Sequence, residues 1–414
     1  MPAAVASGID GPYAWWRLAL SLLLCTVGGI GMWSVVVAMP AVQAEFGVAR
    51  GSAAFAYTLT MIGVASGNVL MGRVVDRVGI VPPLLVGGIG LGLGYLAASR
   101  AGSMWQFDLA YLGPIGLLGS SVTFGPLMAD VSHWFVRRRG LAVSICAAGS
   151  YLAGAIWPPV LQAGIAAFGW RQAHLYAGVL CAGVLVPAAF ALRRRAPQAA
   201  PATPRAAIGA PPPFGFAGLS PAAVQVLLCV AGVACCVAMA MPQVHLVAYC
   251  GDLGYGPARG AEMLSLMLCF GVASRVGTGF IADRIGGLAT LLVGSLLQML
   301  ALVLYLGFDG MASLFVISAL FGLFQGGIVP SYAIIVRAYF PAREAGARIG
   351  AVLTATILGM ALGGWMSGVI FDATGGYRAA FANGVAWNVL NAAIALLLLW
   401  RVSERAAAPA GSRA

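Results

Sequence analysis

The octapeptide Gly-x-x-x-Asp-Arg-x-Gly occurs twice in this chain, as Gly72, Asp76, Arg77, Gly79 and again as Gly279, Asp283, Arg284, Gly286. The copies are 207 residues apart (279 less 72), half of the 414-residue length. Gly169-Trp170-Arg171 returns as Gly376-Tyr377-Arg378 at the same offset, and Trp134-Phe135 as Tyr339-Phe340 at 205. The chain is therefore a tandem duplication, and each half has to complete the same fold. Each octapeptide falls between apolar stretches and is expected in a short loop joining two membrane helices. Its first Gly would end one helix, and its Asp would stand near the start of the next, among free amides and neighbouring Arg. Parallel halves built this way imply an architecture for moving solutes across a membrane.

Lipid has to be the solvent for most of the chain, because 61% of residues are hydrophobic and only 8% charged, against about 25% charged in an average soluble domain. Twelve apolar runs are each long enough to cross a hydrocarbon core of about 30 Å. The expected fold is an all-α integral membrane protein with twelve transmembrane helices in two pseudo-symmetric six-helix bundles. Residues 1–192 form the N-terminal half and 221–414 the C-terminal half. A Pro/Ala-rich linker, 193–220, joins them, with Pro197, Pro201, Pro204 and Pro211-Pro212-Pro213; that composition cannot build a core.

All 23 basic residues are Arg. The termini and the connections after even-numbered spans hold 17 of them, while the opposite face holds five: Arg50, Arg100, Arg171, Arg259 and Arg378. The positive-inside rule makes the arginine-rich face, and both termini, cytoplasmic. The net charge of +11 thus reports topology, and no soluble basic domain exists for nucleic acid to bind. Lys-free, Ala- and Arg-rich usage fits a bacterium of high-GC genome, so the expected location is a bacterial inner membrane. The eight cysteines lie in apolar helices without C-x-x-C spacing and read as core residues, so no metal is expected. A chain without Lys has no phosphate-binding loop for ATP. No nucleophile, base and orienting acid stand at motif spacing either, so an enzyme and a cofactor are not expected.

Two copies of the octapeptide in register, each after the second span of its half, resemble the signature of the major facilitator superfamily, although Ile80 and Gly287 stand where a basic residue often follows. Asp10-Gly11-Pro12-Tyr13-Ala14-Trp15 is similar to a motif that precedes span one in the monocarboxylate porters. Trp134-Phe135-Val136-Arg137-Arg138-Arg139-Gly140-Leu141-Ala142 resembles their signature before span five. Pro12 and Ser144 depart from those patterns.

Arg275 lies inside span eight, four residues before Gly279. An Arg within a membrane is costly and is normally paired or lines a wet cavity, and its planar fork suits a carboxylate. The resemblance implies that it holds an organic anion; an internal ion pair with Asp130 or Glu262 is the alternative. Porters that couple to protons often carry an Asp one turn before this Arg and a Lys in span one. Here those positions are Gly271 and Trp33. His245, Asp252 and Glu262 are the replacement candidates for proton coupling; without them, anion exchange or uniport follows. Trp33, Ser121, Gln243, Gln325 and Tyr332 fall in spans one, four, seven and ten and are expected to line the substrate cavity with Arg275. The expected partners are a small carboxylate such as lactate, pyruvate, formate or oxalate, protons and the lipid bilayer, with the chain acting as a monomer. The alternative function is a proton-coupled exporter of drugs or metabolites, which has no need of Arg275.

Overall fold

Inside a bilayer no water is available to backbone amides, so an apolar chain closes its hydrogen bonds within helices or a barrel. The computed structural model describes residues 8–194 and 216–407, and all their regular structure is helical. Among the described residues, eleven helices are long and apolar enough to cross a membrane. Pro257–Ile285 is the twelfth when its parts Pro257–Arg275 and Gly277–Ile285 are taken together. Of the linker, residues 195–215 lie outside the described residues.

Besides the 40° bend between the two parts of span eight, three spans are broken near mid-membrane. Span one is Pro12–Gly28 and Ile30–Phe46, interrupted at Gly29. Span four is Met104–Ala110, a π-helix over Tyr111–Ser120 and then Gly125–Ser132. Span ten is Met311–Gln325 and Ile328–Tyr339, parted by Gly326-Gly327. Such breaks free backbone groups in the membrane, which is tolerated only where protein or a wet cavity surrounds them. The unbroken spans are Arg50–Val78, Val81–Ser99, Arg139–Phe168, Trp170–Ala191, Pro221–Asp252, Gly287–Gly307, Ala342–Thr374 and Arg378–Ala407.

The octapeptides are not loops. Both continue as helix through Val78 and Ile285, and only the closing glycines leave it, at φ +85° for Gly79 and +81° for Gly286. Their N–H groups bond back to Val75 and Ala282. Gly72 and Gly279 therefore end no helix. The stop comes from the residue that can take positive φ without a Cβ penalty. Arg77, Asp283 and Arg284 project from the last helical turns and are exposed, and Asp283 makes no ion pair among the described residues. The side chain of Asp76 lies outside the described residues.

The two stretches similar to monocarboxylate porters meet each other. Asp10 donates its N–H to Trp134 O at 3.0 Å, and its carboxylate accepts from the amides of Val136 and Arg137. Trp15 stacks edge-on against Phe135, and Tyr13 lies against Trp134. One turn on, Arg17 is fully buried and forks onto Asp130 with two 2.8 Å bonds, its remaining donors going to the carbonyls of Leu192 and Arg194. This knot ties spans one and four to the end of span six. Removing one partner of a buried pair strands a charge, so Asp130→Ala is expected to destabilise by about 3–5 kcal/mol. Joint replacement by Arg17→Met and Asp130→Leu should recover most of that. Thermal unfolding of the purified variants measures both.

Span eleven carries two small-residue stripes with different uses. Gly359 and Gly363 pack on Val233 and Val237 of span seven, within their own half. Gly364 and Gly368 face the other half, and a Cβ on Gly368 would sit 2.8 Å from Gly51 Cα of span two. Helix backbones that approach this closely need glycine on one side.

Candidate functional site

Arg275 sits 18 residues into span eight, about 27 Å along the helix from its start at Pro257. Its guanidinium lies over the ring of Tyr151 of span five at 4.1 Å, a contact between the two halves. Its Nε is buried and donates to nothing among the described residues. Both carboxylates that would have paired with it are taken. Asp130 belongs to Arg17, and Glu262 pairs with Arg259 at 2.7 Å on the exposed start of span eight. Gly271 explains how Tyr151 reaches this place, since a Cβ there would lie 2.4 Å from the tyrosine Cε1. The aromatic ring occupies the space one turn from Arg275.

The other expected cavity residues divide. Trp33 is buried with its Nε1 unbonded, packed over Gly154 of span five beside Leu268 of span eight. Gln243 donates to Gln325 at 2.8 Å, joining spans seven and ten, and Gln325 Nε2 is left buried with no acceptor. Gln325 is next to Gly326, which packs on Gly271 and Ser274 beside Arg275. Three donors without acceptors, Trp33 Nε1, Gln325 Nε2 and Arg275 Nε, thus come from spans around the seam, and buried donors of this kind demand an acceptor. Ser121 and Tyr332 do something else. Ser121 bonds Leu117 O in its own span and packs against Gly67 of span two. Tyr332 is fully buried within the C-terminal half, donating to Asn391 of span twelve at 3.0 Å. Tyr151, and Tyr57 of span two, whose buried hydroxyl has no hydrogen-bond partner among the described residues, are not legible in the sequence, because an aromatic in an apolar span carries no pattern separating cavity from core.

At the arginine-poor face the halves are locked by charge. Arg50, at the start of span two, reaches Asp252 of span seven at 3.0 and 3.2 Å, donates to Gln43 at 2.6 Å and to the Tyr377 hydroxyl, and stacks on Phe371 at 4.6 Å. Asp372 accepts from the N–H groups of Arg50 and Gly51 at 2.8 and 2.7 Å. It caps span two from the opposite half, where the local sequence offers only Ala49. Burial pushes the Tyr377 hydroxyl well above its ordinary range, so it stays protonated. Accepting from Arg50, it gives its own proton to His245 Nδ1 at 3.2 Å, while His245 Nε2 donates to Gly364 O at 2.8 Å. Two of the three proton-coupling candidates, His245 and Asp252, therefore belong to one cluster, and Glu262 stands apart.

Hydrogen bonds between the halves, among the described residues, run from this cluster to Thr58 on Ala361 O and Ser265 on Ala155 O, and go no further. Among the described residues, the hydrogen bonds that join the halves thus lie at the arginine-poor face and in the adjoining parts of the spans.

Comparison with known proteins identifies the family and the fold. The family model of the Major Facilitator Superfamily matches residues 21–311 and 267–414. The chain is 27% identical over 341 residues to monocarboxylate transporter 13 of Rattus norvegicus, covering 78% of this chain and 74% of that protein. It is 29% identical over 398 residues to monocarboxylate transporter 11 of Mus musculus, covering 90% and 84%. In fold it is similar to a bacterial homolog of the human lysosomal transporter Spinster in an inward-facing and occupied conformation, with TM-score 0.75 over 96% of this chain and 99% of that one at 14% identity. The chain belongs to the major facilitator superfamily, as a transporter related to the monocarboxylate porters and not an enzyme.

Proposed function

We propose that this protein carries a small carboxylate, such as lactate, pyruvate, formate or oxalate, across a bacterial inner membrane by alternating access, with both termini in the cytoplasm and the pathway between the halves of a single chain. One observation carries the reading: Arg275 presents a buried, unbonded Nε at the seam, while Asp130 and Glu262 are paired with Arg17 and Arg259. Its fork takes the substrate carboxylate, Tyr151 holds the guanidinium flat, and Trp33 and Gln325 supply the neighbouring donors. The similarity to monocarboxylate transporters supports the same substrate class. The hydrogen bonds that hold the halves together at the arginine-poor face support a state whose opening lies on the cytoplasmic side. Gly271 leaves its place to the Tyr151 ring and offers no carboxylate to carry a proton beside Arg275, which supports anion exchange or uniport at this site.

Thermal stabilisation of the purified protein against a panel of carboxylates tests the reading. A ligand that binds only the folded state adds RT ln(1 + [L]/Kd), about 2.7 kcal/mol at a hundredfold excess over Kd. A rise in melting temperature with lactate, pyruvate, formate or oxalate is expected. Stabilisation by bulky cations or neutral compounds alone would instead indicate the drug or metabolite exporter.

A further inference from the structure

A carboxylate at the edge of a bilayer is expensive unless something positive meets it. Asp108 is such a group. It lies five residues past Ser103, about 7 Å into span four along the helix. Its Oδ1 is buried and accepts no hydrogen bond, and no ion pair reaches the carboxylate among the described residues. It lines a crevice of about 520 Å³ at the arginine-poor face, formed by Val48, Ser52 and Phe55 around the start of span two, Met104 and Trp105 of span four, and Trp365 of span eleven. The lining contains no cation. Three of its members are aromatic and turned outward: Trp105 is 61% exposed, Trp365 40% and Phe55 38%, with Phe55 edge-on to Trp365 at 6.4 Å between centroids.

This combination selects its occupant. An orphaned carboxylate oxygen needs an N–H or O–H donor, and aromatic faces favour a cation above them. A metal ion needs several oxygen ligands and would find one carboxylate here. A quaternary ammonium would satisfy the rings but has no proton to donate. Exposed Trp at the end of a span also belongs to the depth of lipid headgroups. We propose that the crevice binds an amine-bearing phospholipid of the leaflet at the arginine-poor face, its primary ammonium donating to Asp108 and lying against Trp105, with Phe55 and Trp365 covering the upper acyl chains. Because Phe55 and Trp365 come from different halves, the lipid is gripped only while that face is shut, and its binding favours the closed arrangement. This inference does not depend on what Arg275 carries.

Native mass spectrometry of the full-length protein, titrated with phosphatidylethanolamine, phosphatidylcholine and phosphatidylglycerol of identical acyl chains, provides the test. One phosphatidylethanolamine should be retained about tenfold more tightly than either of the others, the size expected of one charge-assisted hydrogen bond. Asp108→Asn, nearly isosteric, should erase the preference, and Trp105→Ala should reduce it while leaving the carboxylate in place. Melting temperatures of both variants establish that they are folded. Equal retention of the three lipids by the unaltered protein, or an undiminished preference in folded Asp108→Asn, would overturn the site. Displacement by free ethanolamine at equal potency would also overturn the lipid assignment, since the aromatic walls would then contribute nothing.

Discussion

Arg275→Ala is expected to lower monocarboxylate uptake into proteoliposomes by about 100-fold or more, because truncating one side of a buried hydrogen-bonded charge pair typically costs 2–5 kcal/mol. Arg275→Lys should fall between, since it keeps the charge and loses the planar fork. The contrast with Arg17 makes the experiment specific. Arg17 spends its donors on Asp130 and two backbone carbonyls, so removing it costs stability. Arg275 has no protein carboxylate to strand, only the ring of Tyr151. Its replacement by Met should therefore leave the melting temperature unchanged or raised, while binding disappears. Near-normal uptake by a folded Arg275→Ala protein would remove the carboxylate assignment altogether.

Arg50→Ala should open the face that is closed here. The substitution deletes the bonds to Asp252, Gln43 and Tyr377 together with the stacking on Phe371. The loss of one member of such a pair is worth about 3–5 kcal/mol, enough to shift a two-state ratio by a factor on the order of 100 or more. Spin labels at the arginine-poor ends of spans two and eleven read this directly. A population at longer separation should appear in the variant, and transport should slow because the closed state is poorly held. A distance distribution identical to that of the unaltered protein would mean that the glycine contacts at Gly51 and Gly368 hold this face without the charges.

The duplication and the helical spans could be read from the chain, because a fixed offset and runs of about 20 apolar residues are local patterns. The octapeptides read as loops for an equally local reason: a Gly followed by Asp-Arg looks like a helix end, yet the membrane leaves the backbone no alternative to the helix. Contacts between distant residues were not legible. Arg17 and Asp130 are 113 positions apart with no periodicity linking them. The repeat even points the wrong way for Asp252. Glu45 pairs with Arg171 inside the N-terminal half at 2.6 Å, and the 207-residue offset maps these two onto Asp252 and Arg378. By symmetry Asp252 should take Arg378 of its own half. It takes Arg50 of the other half instead, so the duplicated pair has become the bolt between the copies. Arg378 is exposed in this arrangement and stands as the partner available to Asp252 once the bolt is drawn.

The solitary guanidinium at the seam also has an electrical meaning. Under the proposed function, a monoanion on Arg275 makes the pair neutral, and the loaded carrier changes orientation without moving net charge through the membrane field. Empty, the same site carries one positive charge across part of a potential worth about 2.3 kcal/mol per elementary charge per 100 mV. A voltage negative inside then draws the unloaded carrier toward its cytoplasm-open form and leaves the loaded one indifferent. In a uniporter, the return stroke and not the delivery then becomes the step that the energised membrane controls.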